Sequence, residues 1–295
     1  MFLTALKKDA RYFQILFQTI FLGYGIIYLG WNADWWLYAT YFSCSIITQL
    51  GFEFLMGKKE IGYWKRIRFS LPSVLISSFG LSLLLKTNHL EVAALAAFIS
   101  IASKFLIKIK GKHIFNPSAL GIVAAIFLTG KAWFSPGQWG SSTVILFGVC
   151  CLGIIIVTKV QKLDTSLTFL GTFAALLFIR QIIYLGWPLD FFVQSISTGS
   201  LLLFSFFMIT DPKTTPNHTA ARIIWSMLVA AVAFYLTTFK FINGAPVWVL
   251  VCMQPIVPVL DYFFKAKKFE WKPPSSLDKK EQTFLNTVYN NLSIK

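Results

Sequence analysis

Long apolar stretches alternate with short polar ones from Tyr12 to Phe264. Each stretch is long enough to cross a hydrocarbon core of about 30 Å as a helix. The alternation predicts ten spans, at roughly 12–30, 35–57, 70–86, 90–107, 114–130, 142–158, 166–187, 189–210, 222–240 and 246–264. The third and fifth are short and start near Pro72 and Pro117, which predicts tilted or broken helices. Trp31, Trp35, Trp36, Trp187 and Trp248 sit at stretch ends, where an amphipathic ring prefers the membrane interface.

Charge supports this count. Of 27 basic residues, all but Lys86, Lys131, Arg180 and Lys240 fall in alternate connections or at the ends of the chain. Under the positive-inside rule this places both termini in the cytoplasm, and the expected location is the inner (plasma) membrane of a bacterium. Composition agrees: 56% of residues are hydrophobic and only 13% charged, too apolar for an ordinary soluble domain. The net charge of +15 would otherwise raise nucleic acid as a partner. Its dispersal over short loops excludes that and makes the lipid bilayer the expected partner. The first stretch lacks a small-residue cleavage site and is expected to remain as a span.

The fold class expected is therefore an all-α polytopic membrane protein. Ten spans suit two inverted five-helix repeats, with a ligand site between broken helices near the midplane. Asn116-Pro117 at the start of span five and Gln254-Pro255 inside span ten are the breaks that hint at it. The chain divides provisionally into residues 1–158, 159–265 and a basic tail, 266–295.

Polar groups inside spans are costly, so each needs a reason. Arg180 lies about two turns from the outer end of span seven and reads either as an anion-binding group or as a snorkelling side chain. Glu53 reads as an interfacial carboxylate facing Lys58 or Lys59. Asn116 suits a helix N-cap and Pro117 the first helical position. Thr210, Asp211 and Pro212 close span eight, with Asp211 free to cap the turn that follows. Ser141 or Ser142 suits the N-cap of span six. The three histidines fall in separate loops on both sides, and the four cysteines lie in apolar stretches without metal-ligand spacing.

Four segments together resemble one family. They are Phe115-Asn116-Pro117-Ser118-Ala119-Leu120-Gly121, Gly140-Ser141-Ser142-Thr143, Phe206-Phe207-Met208-Ile209-Thr210-Asp211-Pro212 and Val257-Pro258-Val259-Leu260-Asp261. Their order, spacing and sides resemble the RnfD/NqrB family, which holds one membrane component of the Rnf electron-transport complex and one of the sodium-pumping NADH:quinone oxidoreductase. The resemblance implies a urea-transporter-like fold of ten spans. It implies FMN joined through its phosphate to the external threonine, here Thr143, and a riboflavin in the sodium-pump component. Ser142, Asn116, Pro117, Arg180, Thr210 and Asp211 complete the expected cofactor-binding set. It also implies other membrane or peripheral subunits, in a complex coupling electron transfer to ion movement. One segment departs from the pattern. The family's flavin-transfer motif opens with an aspartate and reads Gly-Ala before the threonine, whereas this chain has Gly137 and Ser141-Ser142. In this it is similar to the divergent stand-alone members of the UnbU type. Two alternatives stand beside the electron-transfer reading: a small-solute transporter or channel, and a membrane scaffold without redox chemistry.

Overall fold

The computed structural model describes residues 9–57, 62–135, 143–269 and 271. The apolar stretches form helices. In chain order these are α1 (Ala10–Ile27), α2 (Trp35–Met56), α3 (Tyr63–Leu84), α4 (Leu90–Leu106) and α5 (Pro117–Thr129). They continue with α6 (Thr143–Lys159), α7 (Leu163–Phe178), α8 (Leu189–Ile196), α9 (Gly199–Leu203), α10 (Thr219–Phe239), α11 (Ala245–Met253) and α12 (Val257–Phe263). Helix α7 runs on as a π turn, Ile179–Tyr184, and α9 as another, Phe204–Met208. Four short strands lie between helices: β1 (Leu85–Thr87) pairs antiparallel with β4 (Ala132–Phe134), and β2 (Lys108–Ile109) with β3 (Lys112–His113).

Among the described residues four helical segments are long and apolar enough to cross a bilayer: 63–84, 163–184, 219–239 and 245–263. Helices α8 and α9, bent by 48° at a short break, make a fifth together. The chain is thus an all-α membrane-spanning protein.

Side-chain chemistry sets the ends of the helices. Asp9 caps α1 by accepting from the Arg11 amide, and Asp34 caps α2 by accepting from Trp36 and Leu37. Gly130 ends α5 at φ 60°, a left-handed value that glycine adopts without strain. Helix α3 is longer than its charge-free stretch predicts. It begins at Tyr63, so Lys65, Arg66 and Arg68 lie on helix, and Pro72 sits inside it rather than at its start. Arg66 pairs with Glu53 of α2 at 3.1 Å, which lets the helix extend into the polar boundary. Glu53 thus finds its partner on α3; Lys58 and Lys59 lie outside the described residues.

The packing has a regular plan. Helix α1 packs on α3, α2 on α4 and α4 on α5; later in the chain α6 packs on α9, α7 on α10 and α10 on α11. Helix α5 meets α11, and α1 meets α6. In the first helices the core is built mainly from small residues, Ala93, Ala96 and Ala97 of α4 against Ala119 and Ala125 of α5, with Ile122 beside them, all buried. Without a hydrophobic drive between helices in lipid, such close backbone approach is what holds a pair together. In the later helices the same cluster is aromatic, with Phe169, Phe204 and Trp225 fully buried.

Candidate functional site

The Asn-Pro start of α5 lies at a junction of three broken elements. The Asn116 carboxamide oxygen accepts from the Ala119 amide at 3.1 Å and from the Ser118 hydroxyl at 2.9 Å, as an N-cap should. Its Nδ2 donates to the carbonyl of Met208, the last residue of the π turn, at 3.2 Å. Its backbone amide donates to Gln254 Oε1 at 2.9 Å, at the break between α11 and α12. Pro117 takes the first helical position, where its missing N–H costs nothing. Gln254 is fully buried, and its Nε2 has no partner among the described residues. Sequence spacing reveals the two proline breaks, but only the fold brings them together.

Beyond Met208, the buried Thr210 donates to the Phe206 carbonyl. Asp211 then holds a tight turn: its carboxylate accepts from the Lys213 amide and its carbonyl from the amides of Thr214 and Thr215. Three cations clamp the following residues. Lys112 donates to the Thr215 carbonyl and pairs with Asp261 at 2.7 Å, and Asp261 accepts from the Asn217 amide at 2.7 Å. Arg222 pairs with Asp164 at 2.7 Å and donates to the Asn217 carbonyl. Lys162 donates to the Pro216 carbonyl. Lys112, Lys162 and Arg222 escape notice as site residues in the sequence because a basic residue near a membrane boundary reads as a topology signal.

Burial governs the electrostatics of this face. It raises the pKa of Asp211 against the pull of Lys213 and Lys104. It lowers Lys112 in spite of the Asp261 partner, and pushes Lys162 down to about 7, helped by Arg222 and Lys112. His113 falls to about 3, chiefly through burial. The sign for Lys162 follows from linkage. Between about 7 and its ordinary 10.5 the unfolded chain binds more protons than the folded one, so stability rises with pH across that window. Lys162→Met is expected to flatten part of that rise, read as the thermal midpoint of the solubilised protein from neutral pH into the lysine range. An unchanged slope would remove Lys162 from the account.

Two cavities flank the junction. One, of about 110 Å³, opens on the basic face between α1, α3, α6 and the Met208–Lys213 segment; Asn116, Pro117, Thr210 and Asp211 line it. The other, of about 590 Å³, lies at the opposite end of α7, α9 and α10. Arg180 lines this second cavity from the π turn of α7. Its guanidinium lies 4.7 Å from the Tyr184 ring and 5.2 Å from that of Phe239. Its Nε, and Oε1 of the adjacent Gln181, are buried without partners among the described residues. Phe134, Phe173, Trp187, Phe204 and Phe241 supply aromatic wall. The structure thus brings Asn116, Pro117, Thr210 and Asp211 together and sets Arg180 apart from them. Thr143 opens α6, while Ser142 lies outside the described residues.

Residues 126–270 match the NQR2, RnfD, RnfE family. This stretch, just under half of the chain, is similar to that family. The matched stretch takes in Thr143, Arg180, Thr210, Asp211 and Asp261, and the junction residues Met208 and Gln254; Asn116 and Pro117 precede it. The D component of the ion-translocating oxidoreductase complex of Tolumonas auensis is 29% identical over 109 residues, 36% of this chain and 30% of that protein. The protein of the same description from Halorhodospira halophila is 27% identical over 74 residues, 25% of this chain and 21% of that protein. The matches span less than a third of the length of these curated relatives.

Proposed function

We propose that this chain is the RnfD-like membrane subunit of a flavin-containing electron-transport complex, with other membrane or peripheral subunits as partners and ion translocation as the coupled process. The observation that carries the reading is the meeting of family segments. The Asn-Pro helix start touches Met208 at the end of the Phe-Phe-Met segment, and Lys112 and Asn217 tie the turn after it to Asp261.

The architecture proposed is ten spans in two inverted five-helix halves, with the basic face and both termini in the cytoplasm of a bacterium. The packing plan supports it. Pairs α1–α3, α2–α4 and α4–α5 recur as α6–α9, α7–α10 and α10–α11, while α1–α6 and α5–α11 join equivalent elements. On this reading the halves divide between α5 and α6, not at residue 158.

The flavin reading draws on the larger cavity. Its size and aromatic walls suit an isoalloxazine ring, and the two orphaned polar atoms offer a donor at Arg180 and an acceptor at Gln181. A flavin there would supply one-electron transfer. The protein's own part is to exclude water with Phe134 and Phe204, fix the ring between aromatic faces and hold positive charge beside it with Arg180. Attachment of FMN at Thr143 belongs to the same proposal.

Flavin content of the protein purified from its native host tests this. A fluorescent denatured band lost in Thr143→Ala supports covalent FMN. Released flavin lost in Arg180→Leu supports a non-covalent site. Intact protein free of both sinks the proposal.

A small-solute transport reading is favoured by one observation: the cavities open toward opposite ends of the same bent helix, with Leu201 and Phe204 lining one and Leu203 and Phe206 the other. Uptake into liposomes without flavin would move the assignment there.

A further inference from the structure

The smaller cavity carries chemistry that the flavin reading does not use. Cations reach it from three elements: Arg11 of α1, Lys104 of α4 and Lys213 of the turn after α9. Arg11 is neutralised by Asp9 at 2.6 Å and held by the Phe69 carbonyl and the Ser73 hydroxyl. Lys104 donates to the Ser73 carbonyl at 3.0 Å. Among the described residues neither Lys104 nor Lys213 joins a salt bridge. The facing acid is Asp211. Two lysines without a salt-bridge partner thus face a single carboxylate in this pocket. Lys104 is only 8% exposed, and an uncompensated charge at such burial is costly.

The second observation concerns acceptors. His113 and Gln18 line the same cavity. His113 Nδ1 and Gln18 Oε1 are buried and without partners among the described residues, and Gln18 is 4% exposed. Burial keeps the His113 ring neutral, so one of its two nitrogens presents a lone pair. A ligand satisfying this pocket must bring negative charge for the lysines and at least one O–H group for the acceptors. A fully deprotonated oxyanion meets the first demand and fails the second.

We propose that the basic-face cavity is a binding site for a small hydrogen-bearing oxyanion of charge −1, the chemistry shared by dihydrogen phosphate and bicarbonate. Lys104 and Lys213 supply the charge, and His113 and Gln18 are the acceptors for the ligand's one or two O–H groups. A cavity of about 110 Å³ holds one such ion and excludes larger ones. Trp271 lies at the same cavity with its ring 4.9 Å from the Arg11 guanidinium, so occupancy is reported by its emission. The site stands independently of flavin.

The test uses the full chain in nanodiscs of zwitterionic lipid. Sodium phosphate in mildly acidic buffer, sodium bicarbonate at neutral pH and sodium sulfate under both conditions are titrated at matched ionic strength. Tryptophan emission is read against a Trp271→Phe variant. The expected result is a saturable Trp271-dependent change with phosphate or bicarbonate at about 1 mM or tighter, and none with sulfate. Whichever of the two saturates first names the ligand. The change is expected to vanish in Lys104→Met. Gln18→Leu, which leaves every cation in place, is expected to weaken binding about tenfold and to narrow the preference over sulfate. Equal responses to sulfate and phosphate would reduce the site to a basic patch and overturn the proposal, as would a wild-type protein that responds to none of the three.

Discussion

Replacing Asn116 with leucine is expected to lower the unfolding free energy of the solubilised protein by about 3 kcal/mol, from the lost cap and the polar groups left unpaired. The side chain is only 5% exposed and makes three bonds: from Ala119, from Ser118 and to Met208. Leucine is close in volume, so packing is kept while the Ala119 amide and the Ser118 hydroxyl lose their acceptor and the Met208 carbonyl keeps only the Asp211 amide at 3.4 Å. Serine at the same position keeps the capping oxygen and loses only the bond to Met208, so Asn116→Ser should recover about half of the loss. Unfolding midpoints in one detergent check both values. Wild-type stability in Asn116→Leu would mean that the junction is held by packing alone.

The contrast between what the chain declares and what only the fold assembles is clearest at this point. Asn116 and Pro117 are readable as a helix start because capping is local chemistry. The turn at Asp211 is readable for the same reason, and Asp211 does accept from Lys213 as its position suggests. Most helix positions follow from hydropathy, since lipid penalises any other backbone arrangement. The start of helix α3 is misread because three cations in six residues look like a loop until Glu53 is known to face Arg66. The bend between α8 and α9 is invisible because Phe191 to Met208 reads as apolar on either side of it.

The cavities lie a further step away from the sequence. Lys104, His113 and Lys213 share a pocket with Gln18 only after residues about 200 positions apart have been folded together. Arg180 shows the same limit. From sequence it reads equally as an anion ligand or a snorkelling side chain. Its stacking on Tyr184 and Phe239 and its unpartnered Nε tie it to a cavity wall. Both π turns bear on these sites: one carries Arg180, and the other ends at Met208, where Asn116 docks. A π turn re-aims the residues around it, and such turns are frequent at functional sites.

Gly121→Val is expected to have the largest effect of any single substitution, leaving little folded, monodisperse protein after extraction. A Cβ at this position of α5 would lie 2.6 Å from the Ala96 carbonyl oxygen and 3.0 Å from Ser100 Cβ on α4. The nearest obstacle is backbone, so relief requires moving one helix against the other, at a cost of about 3 kcal/mol or more for overpacking. In lipid that displacement is not offset by a hydrophobic drive, because close contact is what favours the pair. Gly171 in α7 is the matched control: nothing stands within 4 Å of its added Cβ, so Gly171→Ala should raise stability by about 0.5–1 kcal/mol through helix propensity. Size-exclusion recovery and thermal midpoints of the two variants, in parallel, check the opposed signs. The functional consequence follows from where α5 begins. Any shift of this helix carries Asn116 away from Gln254 and Met208, so the junction bonds are lost together with the helix contact.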